Sequence, residues 1–284
     1  MAVFSNQATI TYNGNTANSN IAYGEILDAL AVSKTPIESG YTPGETVTYV
    51  VNLTNTGTTP LTGVTLTDNL GGYDFAGTTV YPLSYNANSI KYFVNGVLQS
   101  TPTVVQGPPM SITGLSIPAK GNAVLVYQAT VTSFAPSTLG STIVNTVTAT
   151  GTGINTPVTA SSTVAVNSNA SITVNKSISP TQVTDNQQVT YTFIIQNSGN
   201  TALEATGDTV ITDTFNPILS NISAVFNSTP LGVNTDYTYD TATGLFQTLA
   251  GRITVPAATV TQNPTTGEYT VTPGVSTLVI TGTI

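Results

Sequence analysis

Apolar and hydroxyl side chains alternate along most of this chain, and the alternation predicts strands. Thr46-Val47-Thr48-Tyr49-Val50-Val51-Asn52-Leu53 and Val189-Thr190-Tyr191-Thr192-Phe193-Ile194-Ile195 are rich in β-branched and aromatic residues, with one face to pack and one to hydrate. Turn clusters such as Asn55-Thr56-Gly57 and Asn197-Ser198-Gly199-Asn200 separate the runs. With 16 Pro and 24 Gly there is little room for long helices, and the class expected is all-β, built as sandwiches.

The pattern also repeats. Val32-Ser33-Lys34-Thr35-Pro36, Gly44-Glu45-Thr46-Val47-Thr48-Tyr49, Asn55-Thr56-Gly57 and Val64-Thr65-Leu66-Thr67-Asp68 form the first copy. The second reads Val174-Asn175-Lys176-Ser177-Ile178, Gln187-Gln188-Val189-Thr190-Tyr191, Asn197-Ser198-Gly199 and Val210-Ile211-Thr212-Asp213. Lys and Asp lie 34 residues apart in one copy and 37 in the other, so the register holds through several elements. Further on, the segment from Val124 to Val131 matches the segment from Thr277 to Ile284.

The copies are out of phase at their ends. The first closes with Val144-Asn145-Thr146-Val147-Thr148-Ala149-Thr150, whose counterpart would fall near position 290, past Ile284. Its echo stands instead at the N-terminus, Ser5-Asn6-Gln7-Ala8-Thr9-Ile10-Thr11. Phe4, Asn6, Ala8 and Ile10 share one parity and can face one way along a strand. The expectation is a strand donated to the second sandwich of another copy. The alternatives for residues 1–11 are an extra edge strand folded back on the first domain, or a frayed terminus.

The expected division is an N-terminal donor strand (1–12), a linker (13–30), sandwich 1 (31–153), a linker (154–170) carrying a short strand at Thr163–Val166, and an incomplete sandwich 2 (171–284) that accepts a strand. Tyr237 to Phe246 suggest a hairpin unique to the second copy, turning at Thr241-Ala242-Thr243-Gly244.

Composition excludes several functions. Charged residues make up 6% of the 284, and 5 basic against 13 acidic residues give a net charge of −8, the wrong sign for nucleic acid or an anionic membrane. A surface of Thr, Ser, Asn and Gln suits an extracellular β-protein. The absence of Cys leaves no disulfide to supply strength, and the absence of His and Trp removes the commonest general base and metal ligand. No metal site and no cofactor are expected, and paired carboxylates of a glycoside hydrolase are not found. No signal peptide, membrane anchor or sorting signal is recognisable in the sequence; a processed form, a recombinant form, or release without a leader onto a spore surface all fit, with any anchor a separate protein.

The ordered motifs, a Lys-bearing first strand, a Thr-Asp strand end and an Asn-Thr last strand, resemble the domain-of-unknown-function-eleven repeat of bacterial surface proteins. They resemble more loosely the isopeptide-forming β-sandwiches of Gram-positive pilins and collagen adhesins. The resemblance spans nearly the whole chain. It implies two tandem Ig-like antiparallel β-sandwiches, the second lacking its last strand, and a spontaneous amide bond between Lys Nζ and Asn Cγ, promoted by a buried acid. The residues implied are Lys34 and Asn145 with the acid Asp68 within one chain, and Lys176 with the acid Asp213 and Asn6 between chains. Only four Lys exist, and two occupy equivalent repeat positions, each followed by an equivalent Asp. A lysine at a strand edge or a Thr-Asp strand end is also an ordinary structural feature. The function expected is a subunit of an extracellular bacterial fibre on a cell or spore surface, self-assembling head to tail, with no enzymatic turnover; the alternative is a monomeric adhesin or stalk fragment with ligand-binding loops.

Overall fold

The computed structural model describes residues 2–26 and 29–284, and every regular element among them is a β-strand. The chain divides into two compact units, residues 1–135 with 142–165 (unit 1) and residues 136–141 with 166–284 (unit 2).

At the N-terminus β1 (Ala2–Asn6) and β2 (Thr9–Tyr12) run out, and β3 (Asn15–Asn18) and β4 (Ala22–Ile26) run back. Asn13 and Gly14, with φ of 45° and 76°, make the two-residue turn whose twist matches that of the strands. The ladders run from Tyr12↔Asn15 to Thr9↔Asn18 and from Asn6↔Ala22 to Ala2↔Ile26. Where they join, Gln7 Nε2 donates to the Ser19 carbonyl (2.7 Å) and the Ala8 amide to Ser19 Oγ (2.9 Å). The expected boundary between a donor strand (1–12) and a linker (13–30) therefore does not appear. Polar residues with weak strand preference become a strand because a partner lies opposite them, a preference set by pairing and not by the residues alone. Among the described residues these four strands pair only with one another.

Unit 1 continues with β5 (Leu30–Pro36), β6 (Gly40–Tyr41), β7 (Thr46–Asn55), β8 (Leu61–Asp68), β9 (Tyr73–Phe75), β10 (Thr78–Val80) and β11 (Leu83–Tyr85). It is completed by β12 (Lys91–Val94), β13 (Val97–Leu98), β14 (Thr103–Val105), β15 (Met110–Ile117), β16 (Asn122–Val131), β17 (Thr142–Thr150) and β18 (Val158–Val166). One sheet has the order β13-β12-β16-β7-β5 and the other β14-β15-β8-β17-β18-β6. Alternate residues of each strand fill the layer between: Val47, Tyr49, Val51 and Leu53 from β7, Leu125 and Tyr127 from β16, Leu66 from β8, Val147 and Ala149 from β17. Each large aliphatic buried there contributes about 1.5–3 kcal/mol. The expected linker at 154–170 is corrected by β18, which pairs with β17 along its length from Ala149↔Val158 to Thr142↔Ala165. Its buried Ser162, Val164 and Val166 give it the period of a sheet strand.

Unit 2 contains β19 (Ile172–Ser179), β20 (Gln188–Asn197), β21 (Thr212–Thr214), β22 (Ser220–Phe226) and β23 (Thr229–Leu231). It adds β24 (Tyr237–Asp240), β25 (Leu245–Thr248), β26 (Thr259–Gln262), β27 (Tyr269–Thr272) and β28 (Gly274–Thr283). Its five-stranded sheet, β19-β20-β28-β22-β23, repeats the order β5-β7-β16-β12-β13 strand for strand. The set β24-β25-β21 repeats β14-β15-β8, with Asp213 opposite Phe246 as Asp68 is opposite Met110. The hairpin expected to be unique to the second copy thus occupies the place of β14 and β15. Among the described residues no strand stands beside β21 where β17 and β18 stand beside β8.

Equivalent turns use one device twice. Asn55 Nδ2 donates to the carbonyls of Thr59 (2.8 Å) and Pro118 (3.1 Å), while its Oδ1 accepts the Gly57 amide (2.9 Å). Asn197 does the same with Thr201 (2.8 Å), Pro256 (3.1 Å) and Gly199 (2.9 Å). Both side chains are buried, so truncation strands several backbone groups. Asn55→Ala and Asn197→Ala are each expected to destabilise their own unit by about 1–3 kcal/mol, read as a lowered denaturation midpoint.

Candidate crosslink sites

Lys34 lies midway along β5, opposite Val51 of β7, and Asp68 is the last residue of β8. Asp68 is flanked in its own sheet by Val147 of β17 and Met110 of β15. Across the sandwich, Lys34 Nζ meets Asp68 Oδ2 at 2.7 Å, with the side chains 0% and 1% exposed. The Tyr127 hydroxyl also donates to Asp68 Oδ2, and the Leu70 amide donates to Oδ1 at 2.8 Å. The ammonium sits 4.6 Å from the centre of the Tyr49 ring and 5.7 Å from that of Tyr127, and the two rings stack at 5.7 Å.

Burial drives the Lys34 pKa down to about 8, against the opposing pull of Asp68. Burial likewise pushes the Tyr49 and Tyr127 hydroxyls well above their ordinary range. The Asn145 amide lies close enough to both tyrosines to oppose that rise. Asn145 stands on β17 two residues from Val147, on the same inward face, which brings it into the pocket of Lys34 and Asp68. Asn69 holds β17 there: its Oδ1 accepts the Thr146 amide at 2.8 Å, and its own amide donates to the Thr146 carbonyl at 3.0 Å. Asn145 is fully buried, and its approach to the tyrosine hydroxyls falls short of a well-formed hydrogen bond at Oδ1, at Nδ2 and at the Tyr49 hydroxyl. Unpaired buried polar atoms cost about 1–3 kcal/mol each, so these weak contacts leave the amide poorly satisfied.

Unit 2 holds the same pair in different surroundings. Lys176, opposite Phe193 of β20, donates to Asp213 Oδ2, and its Nζ lies 4.7 Å from the Tyr191 ring centre and 5.4 Å from those of Phe193 and Phe215. Tyr191 repeats Tyr49, but Ile280 stands where Tyr127 does, so Asp213 lacks the equivalent hydroxyl. The side chains are 40% and 16% exposed. Every residue of β19 is exposed, Ile172, Val174 and Ile178 included, whereas Leu30 and Lys34 on β5 are buried. The proposed third member, Asn6, lies exposed on β1 opposite Ala22, with Phe4, Ala8 and Ile10 also exposed on the hairpin.

Sequence reasoning passed over Tyr49, Tyr127 and Asn69. Tyr49 was detectable because Tyr191 repeats it; Tyr127 and Asn69 have no repeated partner. Among the described residues no group of His, Cys, Asp and Glu could hold a metal ion, and no helix is long and apolar enough to cross a membrane.

No protein-family model and no curated protein matches the chain. Among solved structures it is similar to the major pilin subunit of Bacillus cereus (11% identity, 94% of this chain and 70% of that one, TM-score 0.38). It is also similar to a C-terminal fragment of the major pilin of Streptococcus agalactiae (13%, 87% and 91%, TM-score 0.36). A third is the collagen-binding subdomain of an Enterococcus faecalis surface protein (11%, 50% and 99%, TM-score 0.31). Likeness at this level carries no argument about function.

The two pairs should differ in energetic weight. Asp68→Ala leaves a buried ammonium unpaired and is expected to cost about 3–5 kcal/mol. Asp213→Ala removes a solvated pair and is expected to cost about 0–1 kcal/mol, both read by denaturant titration.

Proposed function

We propose that the protein is a structural subunit of an extracellular fibre, assembling head to tail as the N-terminal strand of one copy completes unit 2 of the next. Two amide crosslinks, Lys34–Asn145 within a chain and Lys176–Asn6 between chains, lock the assembly. The observation that carries this reading is the contrast between β5, covered by β17, and β19, whose apolar and lysine side chains lie open while the matching Asn-bearing strand stands exposed at the other end of the chain. An open strand edge beside apolar pockets is completed by strand addition, and a heterologous contact of this kind propagates.

The chemistry follows from the surroundings of Lys34. One proton moves from the ammonium to Asp68, leaving a neutral amine and a carboxylic acid in a site that disfavours charge. The amine attacks Asn145 Cγ while the acid polarises the amide oxygen. The new C–N bond forms, Asp68 gives its proton to Nδ2, the bond to Nδ2 breaks and ammonia leaves, and the proton shed by the attacking nitrogen passes to the Asp68 carboxylate. Fixed geometry supplies the effective concentration that makes one such event accessible. The reaction ends in a crosslink and has no turnover.

Intact mass tests the intramolecular bond: the chain is expected about 17 Da below its sequence mass, one ammonia per amide. Lys34→Ala or Asp68→Ala should abolish that deficit, and an unchanged sequence mass in the parent protein would exclude the bond. The reactive state, neutral amine beside carboxylic acid, carries the same protons as the ammonium–carboxylate pair, so bond formation in freshly refolded protein should vary little from pH 7 up to about 8 and slow above it, where the amine loses its proton to solvent and Asp68 stays a carboxylate.

The intermolecular bond predicts a ladder of covalent oligomers on a denaturing gel of assembled protein. Asn6→Ala is expected to remove the ladder, and its persistence would show that Asn6 is not the partner.

A further inference from the structure

The strand that unit 2 lacks in this reading is never alone in unit 1. There β17 enters the sheet already paired with β18, and β18 in turn pairs with β6. The N-terminus has the same composite form, β1 and β2 running out and β3 and β4 running back. We propose that the donated element is this entire hairpin, with β1–β2 taking the place of β17 and β3–β4 the place of β18 in unit 2 of a second copy. The inference rests on the head-to-tail reading and adds a second strand to each junction.

Register supports it. Asn145 faces Ser162 in unit 1, and Asn6 faces Ala22 in the hairpin. The next pair out, Val144 with Thr163, corresponds to Ser5 with Tyr23, and the one after, Ile143 with Val164, corresponds to Phe4 with Gly24. In unit 1 the pairs Asn145–Ser162 and Ile143–Val164 are buried, while Val144 and Thr163 are exposed.

Volume supports it as well. Where unit 1 buries Ile143 beside Val164, the hairpin has a larger residue beside the smallest, Phe4 over Gly24. A Cβ at Gly24 would lie 2.2 Å from Phe4 Cζ, so the ring occupies the space a side chain there would need. Such a large-for-small exchange is what a shared core position tolerates, because the summed volume changes little. Yet Phe4 is 57% exposed here, with Ile10 at 63%. A solvated hairpin needs no such compensation; a core face does.

The receiving side has a seat for both strands. On β21 the edge taken by β17 in unit 1 is open among the described residues. The seat for the return strand is the counterpart of β6: Tyr41, fully buried in unit 1, corresponds to Val183, in a stretch that forms no strand in unit 2.

A disulfide across the hairpin separates whole-hairpin from single-strand donation. The chain has no Cys, so Ser5→Cys with Tyr23→Cys introduces one bridge, between residues directly opposite each other on the outward face, where facing Cα atoms lie about 4.5–5.5 Å apart. Assembly is followed by size exclusion and electron microscopy with the pair oxidised and reduced. The oxidised protein is expected to assemble as the parent does. If it stays monomeric and assembles only on reduction, the strand enters alone and the proposal fails. A second variant decides independently: Ala22→Lys changes a residue exposed in the free subunit but inward-facing after docking. It is expected to slow or weaken assembly on the order of tenfold or more, the equivalent of about 1.4 kcal/mol. Parental assembly by this variant would overturn the role of the return strand. A parent protein that does not assemble at all would instead remove the head-to-tail reading beneath it.

Discussion

Exclusion of water from the lysine strand is the constraint on which the rest of the molecule depends. In unit 1 the strands β17 and β18 extend the second sheet, and β17 brings Asn145 over β5. Lys34 is then fully enclosed, its amine is driven toward neutrality by burial, and its one counter-charge is a carboxylate fixed by Tyr127 and the Leu70 amide. The same lysine and aspartate recur in unit 2 without that cover, and there they form a partly solvated surface pair. Two sites of nearly the same composition thus have different electrostatic character. Burial weakens an ammonium by a mechanism that sequence identity does not carry, because the cost lies in lost hydration and not in the neighbouring residues alone.

In the proposed assembly this contrast also times the chemistry. In that assembly the partner amide reaches Lys176 only on docking, so unit 2 stays unreactive in the free subunit. Docking would bring the amide and the exclusion of water in one step. Unit 1 needs no such trigger, since its own β17 supplies both during folding. The aromatic cages are consistent with the difference: Tyr127 orients Asp68 in unit 1, while Ile280 offers no hydroxyl to Asp213. The acid of unit 2 is therefore left to be oriented by whatever strand arrives.

Much of this was legible in the chain. Alternation in Thr46–Leu53 and its repeat marked the central strands β7 and β20, and repeat alignment put Lys34 with Asp68 and Lys176 with Asp213, which meet as pairs in the structure. The cage was less visible. Tyr49 and Tyr191 coincide in the repeat, but Tyr127 aligns with Ile280 and could not be found by comparing copies. Of β18 only the end, Thr163–Val166, was visible as a strand, and β3 and β4 were missed because their sequences, Asn15–Asn18 above all, lack the strand preference and alternation that a solvent-exposed strand has no need of. Their conformation comes from the Asn13-Gly14 turn and from the partner opposite, neither of which a window of local propensity measures. The hairpin of β24 and β25 misled in the opposite way: it was visible as a hairpin, but its sequence had drifted too far from β14 and β15 to be recognised as their equivalent.

The ordering of the hairpin before docking bears on how strongly such a junction could hold. A lone extended donor must be fixed as it binds, at roughly 1–2 kcal/mol of backbone entropy per residue, and that cost is subtracted from every contact it makes. In the hairpin part of this cost has already been met during folding, by the two ladders, the Asn-Gly turn, and the bonds from Gln7 and Ala8 to Ser19. Isolated two-stranded hairpins are marginal in water, so the saving is partial. In the proposed junction it nevertheless falls on the strand whose Asn6 would have to reach its site with little freedom, because amide formation gains rate from fixed geometry. With 6% charged residues and no cysteine, the chain has few ion pairs and no disulfide to strengthen a junction. In the proposed assembly, two strands of backbone hydrogen bonds, a volume-matched Phe4 and Gly24, and one covalent amide would take their place.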